Sequence, residues 1–301
     1  MKELNKVISI AKKLTDMPYN EFNLDNYLSI LEKNNYKIIW TDTNLNQPIK
    51  LMSGEKEFDG TAGIVRTIRW KNKAKRTIYI VGKGILFDSG GYNLKGGRNG
   101  MSGMHGDKAG MIIALSIANY LQDNVVAYCP VTTNFLHNSK IVPGDIIKIG
   151  NKKVVVNNTD AEGRLILAEA LSTLRPSKND IVITIATLTG CCSYAVDKAT
   201  GVFSPNDKLV NLYLKASEES LEYAWRLPLF DYFQKFYKKQ PFKNSQDKIS
   251  AGASEGAMFI KQWIDFPNRW IHLDIASSCT KDEKSNGVPI RSLINFIKKI
   301  Q

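Results

Sequence analysis

Histidine is scarce in this 301-residue chain, which contains only His105, His137 and His272. That scarcity argues against a metal centre built from imidazoles, and any metal would have to be held mostly by oxygen. Cysteine is almost as sparse. Cys129, Cys191, Cys192 and Cys279 show no C-x-x-C spacing, and neighbours such as Cys191 and Cys192 rarely bridge each other. They read as buried thiols of a reducing, cytoplasmic compartment, not as a disulfide framework. No apolar run reaches the length of a membrane span, and the longest, around Ile181 to Leu188, is interrupted by threonines. The N-terminus also lacks a secretory pattern. Lys2, Glu3, Lys6, Lys12 and Lys13 interleave with Leu4, Val7, Ile8, Ala11 and Leu14, as in an amphipathic helix.

Acidic residues are outnumbered, 29 against 41 Lys and Arg, for a formal net charge of +12. Such an excess can signal affinity for nucleic acid or another polyanion. Here the lysines are scattered, and neither a nucleic-acid-binding motif nor aromatic-basic interleaving accompanies them. Heavy joint use of Lys, Asn and Ile is explained equally well by a compositional bias of the source genome. With 43% hydrophobic and 23% charged residues, the chain has an ordinary globular composition. Its length suffices for one large core.

What the chain does contain is concentrated in Asn157-Asn158-Thr159-Asp160-Ala161-Glu162-Gly163-Arg164-Leu165, directly after the apolar run Val154 to Val156. Leu165 to Leu174 has helical spacing, so Asp160, Glu162 and Arg164 fall where a strand ends and a helix begins. Positions i, i+2 and i+4 share a face of an extended segment, and a loop could aim all three side chains into one crevice. Two readings stand at this point. The residues form a metal or oxyanion site, or an acid caps the helix while Arg164 makes a surface pair.

A second stretch follows the apolar run Ile78 to Val81. It runs Gly82-Lys83-Gly84-Ile85-Leu86-Phe87-Asp88-Ser89-Gly90-Gly91-Tyr92-Asn93-Leu94-Lys95-Gly96-Gly97 and is followed by Asp107. Its glycines fit a backbone that approaches a site closely, but their spacing matches neither phosphate-binding pattern. Together the two stretches resemble the leucyl aminopeptidase (cytosol aminopeptidase) family of metallopeptidases. The resemblance rests on Asn158 to Leu165, Gly82-Lys83-Gly84, Phe87 to Gly91 and Lys95, with support from Ala186 to Gly190, Trp225 to Leu229 and His272 to Ala276.

The resemblance implies a dinuclear site with two Zn²⁺ or Mn²⁺ ions. Asp88 and Glu162 would bridge them, Asp160 would complete one site, and Asp107 with the neutral amine of Lys83 the other. It implies that Lys95 polarises the scissile carbonyl and that Arg164 holds a bicarbonate ion acting as general base. An apolar substrate pocket would be lined by Met104, Thr187, Gly190, Ala276 and Cys279. Peptides would be the substrates, and the assembly a homo-oligomer, hexamer or trimer. The chain would be the single catalytic domain, residues 1–301, without the family's separate N-terminal domain. Departures are Lys108-Ala109 after Asp107, Gly96 after Lys95, and Thr133 before Asn134. Lys108 bears on metal affinity if its ammonium points inward, and not if it points to solvent. His105 is expected to be a loop residue, not a ligand. Two other expectations are kept open: a homologue serving as an oligomeric scaffold or particle component, and a basic nucleic-acid-binding regulator.

Along the chain, helices are expected at 1–14, 23–35, 109–121, 165–174, 217–225 and 289–300. Strands are expected at 37–40, 61–70, 76–81, 124–131, 180–186 and 271–276, with a hairpin over 146–156 turning at Gly150-Asn151. The stretches 41–60 and 71–75 read as a loop and a basic turn. This alternation indicates an α/β fold with a mainly parallel mixed sheet and helices on both faces. In such sheets ligands sit beyond the carboxyl ends of the strands. Lys83, Asp88, Asp160 and Thr187 to Gly190 are all expected there.

Overall fold

A computed structural model describes residues 2–41, 62–67, 76–97, 100–136, 141–246, 250–281 and 284–301. The expected loop after Thr41, the basic turn 71–75 and His137 lie outside the described residues.

The first helix, α1 (Lys2–Asp16), buries Ala11, Leu14 and Thr15 and keeps its lysines outward. A short helix α2 (Tyr27–Lys33) and strands β1 (Ile38–Thr41) and β2 (Gly63–Thr67) follow. Next come β3 (Ile78–Gly82), β4 (Gly84–Asp88), α3 (Ala109–Leu121), β5 (Val125–Asn134) and the hairpin β6 (Ile146–Ile149) and β7 (Lys152–Val155). The hairpin pairs Ile149 with Lys152 and turns on Gly150, whose φ of 59° favours glycine. Then follow α4 (Glu162–Thr173), β8 (Ile181–Ala186), α5 (Cys192–Val196), β9 (Thr200–Phe203), α6 (Asp207–Glu219), β10 (Ala224–Arg226), β11 (Phe242–Lys243), α7 (Gly252–Lys261), β12 (Trp270–Asp274) and α8 (Ile290–Ile300).

The main sheet runs β1-β2-β5-β3-β8-β12-β9-β10, with β4 also on β5. Its centre is parallel: β3 pairs with β5 and β8, and β8 with β12. β1, β2 and β9 join antiparallel to their inner neighbours. Every residue of β8 and β12 is buried, which requires cover on both faces of the sheet. One layer holds α3 with α1 and α8; the other holds α4 with α7. In α8, Ile290, Leu293, Ile294, Phe296, Ile297 and Ile300 form the buried stripe expected at helical spacing.

The helix expected over 217–225 is displaced. Its turns belong to α6, which begins ten residues earlier because the Asn206 side chain accepts hydrogen bonds from the amides of Lys208 and Leu209. Residues 224–226 form a strand instead, after Leu221 takes a φ of 55°. The 23–35 expectation shrinks to α2. Strands β4 and β9 and helix α7 have no counterpart among the expected elements. Helix α7 opens Gly252-Ala253-Ser254-Glu255-Gly256, whose small and glycine residues are weak helix signals.

Candidate active site

The ends of β3, β4 and β8 and the start of α4 meet at one cavity of about 520 Å³. Lys83 leaves β3 just past Gly82, and Asp88 closes β4. Asp107 sits in a short 3-10 turn, Met104–Lys108, ahead of α3. Close backbone approach makes this convergence possible. A Cβ on Gly163 would lie 2.7–2.8 Å from the Lys83 side chain, and one on Gly110 2.5 Å from the Ile185 carbonyl. Alanine at 110 would push the elements apart, and alanine at 163 would displace the Lys83 side chain.

Asp88, Asp160 and Glu162 bring carboxylate oxygens within 4.8 Å of one another. Lys83 Nζ lies 2.8 Å from Glu162 Oε1 and 2.6 Å from Asp107 Oδ2, and donates to the Thr187 carbonyl at 2.8 Å. Lys95 Nζ lies 2.8 Å from Asp88 Oδ2 and 2.5 Å from Asp160 Oδ1. Asp88 is fixed through Oδ1, which accepts from Asn134 Nδ2 at 2.7 Å and the Gly90 amide at 2.9 Å. The Thr187 hydroxyl donates to Asp107 Oδ1 at 2.5 Å.

Burial raises the pKa of Glu162 to about 8, Asp88 and Asp107 adding repulsion against the pull of Lys83 and Lys95. Asp107 and Asp160 are raised for the same first reason. Both lysines move upward. Burial opposes their charge, but Asp107, Glu162 and Asp88 outweigh it at Lys83, and Asp88 leads the group that does so at Lys95. With only the carboxylates around it, Lys83 is favoured in its charged form; the neutral amine that the resemblance implies belongs to a site holding metal ions.

Glu162 Oε2 is buried without a partner, while Asp107 Oδ2 meets the Lys83 ammonium at 2.6 Å. A free carboxylate oxygen among clustered acids beside an amine is a donor set that suits divalent cations such as Zn²⁺ or Mn²⁺. The residues present therefore fit a metal.

Asp160, Glu162 and Arg164 all line the cavity, as expected, but not from one extended face. Glu162 is already the first residue of α4 and Arg164 lies in its first turn, so helical rotation separates the two side chains. The Arg164 guanidinium pairs through Nη1 with Glu255 Oε2 of α7 and donates from the same nitrogen to the Asn244 carbonyl at 2.7 Å. Burial works against its charge, and the Glu255 carboxylate outweighs that, leaving its pKa raised. Asn244 also staples the loop before α4. Its Oδ1 accepts from the amides of Asn157 and Asn158, and its Nδ2 donates to the Asn158 carbonyl at 2.7 Å.

Met104, Thr187, Gly190, Ala276 and Cys279 all line the same cavity. The chain bearing them is held by the buried Asp274. Its Oδ1 accepts from the amides of Leu188 and Ala276, and its Oδ2 from the Thr189 hydroxyl at 2.6 Å. Lys108 points neither to solvent nor into the acid cluster. It is fully buried, with Nζ donating to the carbonyls of Met17 at 2.8 Å and His105 at 2.6 Å, 5.3 Å from the Phe22 ring centre. His105, in the 3-10 turn and not in a loop, stands apart from the three-carboxylate cluster.

The sequence assigned no role to Asn134, Asn244, Glu255 or Asp274. The usable signals were Asp274, inside the block His272 to Ala276, and Glu255, an acid set among alanines and glycines.

Residues 10–294 match the family model described as cytosol aminopeptidase family, catalytic domain. Among curated relatives named probable cytosol aminopeptidase, the Synechococcus protein is 36% identical over 247 residues, covering 77% of this chain and 50% of its own length. The Chlorobium phaeobacteroides protein is 39% identical over 244 residues, covering 76% of this chain and 48% of its own. The Chlorobaculum tepidum protein is 37% identical over 243 residues, again 76% and 48%. The chain thus spans about half the length of the curated relatives it matches.

Proposed function

This chain belongs to the cytosol aminopeptidase family, and from that membership we propose that it is a dinuclear metal-dependent aminopeptidase releasing N-terminal, preferably apolar, residues from peptides. The observation that carries the proposal is the convergence of Asp88, Asp160 and Glu162 within 4.8 Å, beside two buried-stem lysines, in a cavity large enough for a side chain.

Asp88, Asp160 and Glu162 would hold one ion, and Asp107 and Lys83 would join Asp88 and Glu162 around a second. When bound, the ions would supply Lewis-acid polarisation of the scissile carbonyl and of the attacking water, and their charge would displace the proton from Lys83. The protein's own contributions are positional. Lys95, kept cationic between Asp88 and Asp160, offers an ammonium to the carbonyl oxygen as negative charge develops. Asn134 and the Gly90 amide fix Asp88, and Thr187 fixes Asp107, so the acids need not reorganise. Met104, Thr187, Gly190, Ala276 and Cys279 would receive the side chain of the N-terminal residue. The half-buried Ala276 and buried Cys279 suit leucine or methionine and offer no partner to a charge.

The same reading includes a homo-oligomer, trimer or hexamer. The exposed run Leu221, Tyr223 and Trp225 supports it, since 68–83% exposure of three large apolar residues is costly in a lone chain. It also includes a cytoplasmic location, for which the free thiols of all four cysteines speak. Among the described residues no helix is long and apolar enough to cross a membrane.

The test is leucyl-amide hydrolysis after chelator treatment, then with Zn²⁺ or Mn²⁺ restored. Loss and recovery are expected, with metal analysis giving two ions per chain. Full turnover in the chelated protein would remove the metallopeptidase reading.

A further inference from the structure

The bicarbonate implied for Arg164 does not fit the residues around it. Glu255 is 3% exposed and Arg164 5% exposed, and the two face each other inside the wall of the cavity. Two acceptors of the chain already meet the guanidinium: Glu255 Oε2 and the Asn244 carbonyl oxygen share Nη1. The other carboxylate oxygen is engaged as well, because the Tyr237 hydroxyl donates to Glu255 Oε1 at 3.1 Å. The small residues of α7 let the arginine lie against the helix. A Cβ on Gly256 would come 3.3 Å from Arg164 Nη2, and Gly252 opens the helix beside the same cavity.

We propose that Glu255 is the resident anion of Arg164, a carboxylate supplied by the chain itself, and that this protein neither binds nor needs bicarbonate. A carboxylate and bicarbonate offer a guanidinium the same charge and the same pair of oxygens. A tethered carboxylate also has no translational freedom to lose on binding. Bicarbonate would have to displace Glu255 and leave a buried carboxylate without its cation, the costly half of a broken buried pair. Glu255 is thus a positioning residue. It holds the guanidinium and keeps fixed negative charge at this end of the cavity, with Tyr237 and Asn244 bracketing the pair.

The inference rests on the aminopeptidase reading for its kinetic arm only. The decisive measurement is binding of ¹³C-labelled bicarbonate, followed by NMR line width, to wild type, Glu255→Ala and Glu255→Gln, with circular dichroism to check the fold. Wild type should leave the signal unbroadened, and Glu255→Ala should broaden it because the vacated site accepts the ion. In carbon-dioxide-depleted buffer, wild-type turnover of leucyl amide should not respond to added bicarbonate. Glu255→Ala should lose ~10²-fold and recover most of it with bicarbonate or formate. Glu255→Gln, of the same size and neutral, should lose activity and resist rescue, which a purely structural role would not produce. Broadening with wild type, or bicarbonate stimulation of wild type, overturns the proposal. So does a folded Glu255→Ala that ignores both anions, or a Glu255→Gln with wild-type turnover. If wild type hydrolyses no peptide substrate at all, the aminopeptidase reading fails while the binding arm still decides this one.

Discussion

At the Lys83 end of the cavity one carboxylate oxygen, Glu162 Oε2, is buried without a partner, whereas at the Arg164 end both oxygens of Glu255 are engaged. Four carboxylates (Asp88, Asp107, Asp160 and Glu162) face two ammonium groups at the first end, and one carboxylate faces one guanidinium at the second. Burial first, and then repulsion from Asp88 and Asp107, raises the pKa of Glu162 at that end. The first end is built to gain a cation, and the second is complete without a ligand. Neighbouring charged groups in one cavity can therefore have opposite roles, and the difference lies in whether the chain supplies the counter-charge.

The comparison breaks most sharply at Glu162. Under saturating metal, Glu162→Ala should lower kcat by at least ~10³-fold, a loss of about 4 kcal/mol of transition-state stabilisation. Steady-state kinetics showing near wild-type turnover would mean that the crowded carboxylates are not a catalytic metal site.

Ligand-linked stability separates the two ends without any turnover. Zn²⁺ or Mn²⁺ at about 100 times its Kd should stabilise the wild type by about 2.7 kcal/mol, read as a rise in the denaturant midpoint. Asp160→Ala should lose most of that gain. A gain of similar size from bicarbonate would erase the contrast.

A third buried group gives a control outside both ends. His272 is fully buried in β12, with Nδ1 2.9 Å from the Thr184 hydroxyl and Nε2 unpartnered. Burial depresses its pKa to about 3. The unfolded chain therefore takes up a proton, between pH 6.5 and 3, that the folded chain refuses. Stability is full above pH 6.5 and falls with acidification, by about 2–3 kcal/mol between pH 7 and 4.5. The carboxylates act the other way. Burial lifts Asp274 to about 6, so its protonation favours the fold as pH drops through that value. Comparing wild type with His272→Gln cancels that opposing part. Urea unfolding at the two pH values should show an acid penalty smaller by about 2–3 kcal/mol in the variant, and an equal penalty would mean that His272 is charged in the fold.

The smallest effect concerns the pocket wall. A Cβ on Gly190 meets nothing within 4 Å, so Gly190→Leu should fold and fill space in the cavity. Preference should move from leucyl towards alanyl substrates severalfold in kcat/KM, at about 1 kcal/mol per methylene lost from the pocket. An unchanged substrate profile would take Gly190 out of the pocket.

The sequence by itself determined the chemistry and the frame. Periodicity marked β8 and α8, and the Gly150 turn set the hairpin register, because backbone repeats of two and 3.6 residues leave a local trace. The stretches around Lys83, Asp88 and Asp160 to Arg164 carried their acids and lysines in plain view. Tertiary structure alone decided where those groups point. Arg164 meets an acid 91 positions away, and Lys108 turns from Asp107 to the Met17 carbonyl, also 91 positions away. Asp274 grips a loop 85 and 86 positions earlier. Partners so far apart in the chain share no period, so only packing of α7 against α4, of α1 against the 3-10 turn, and of β12 against β8, could bring them together.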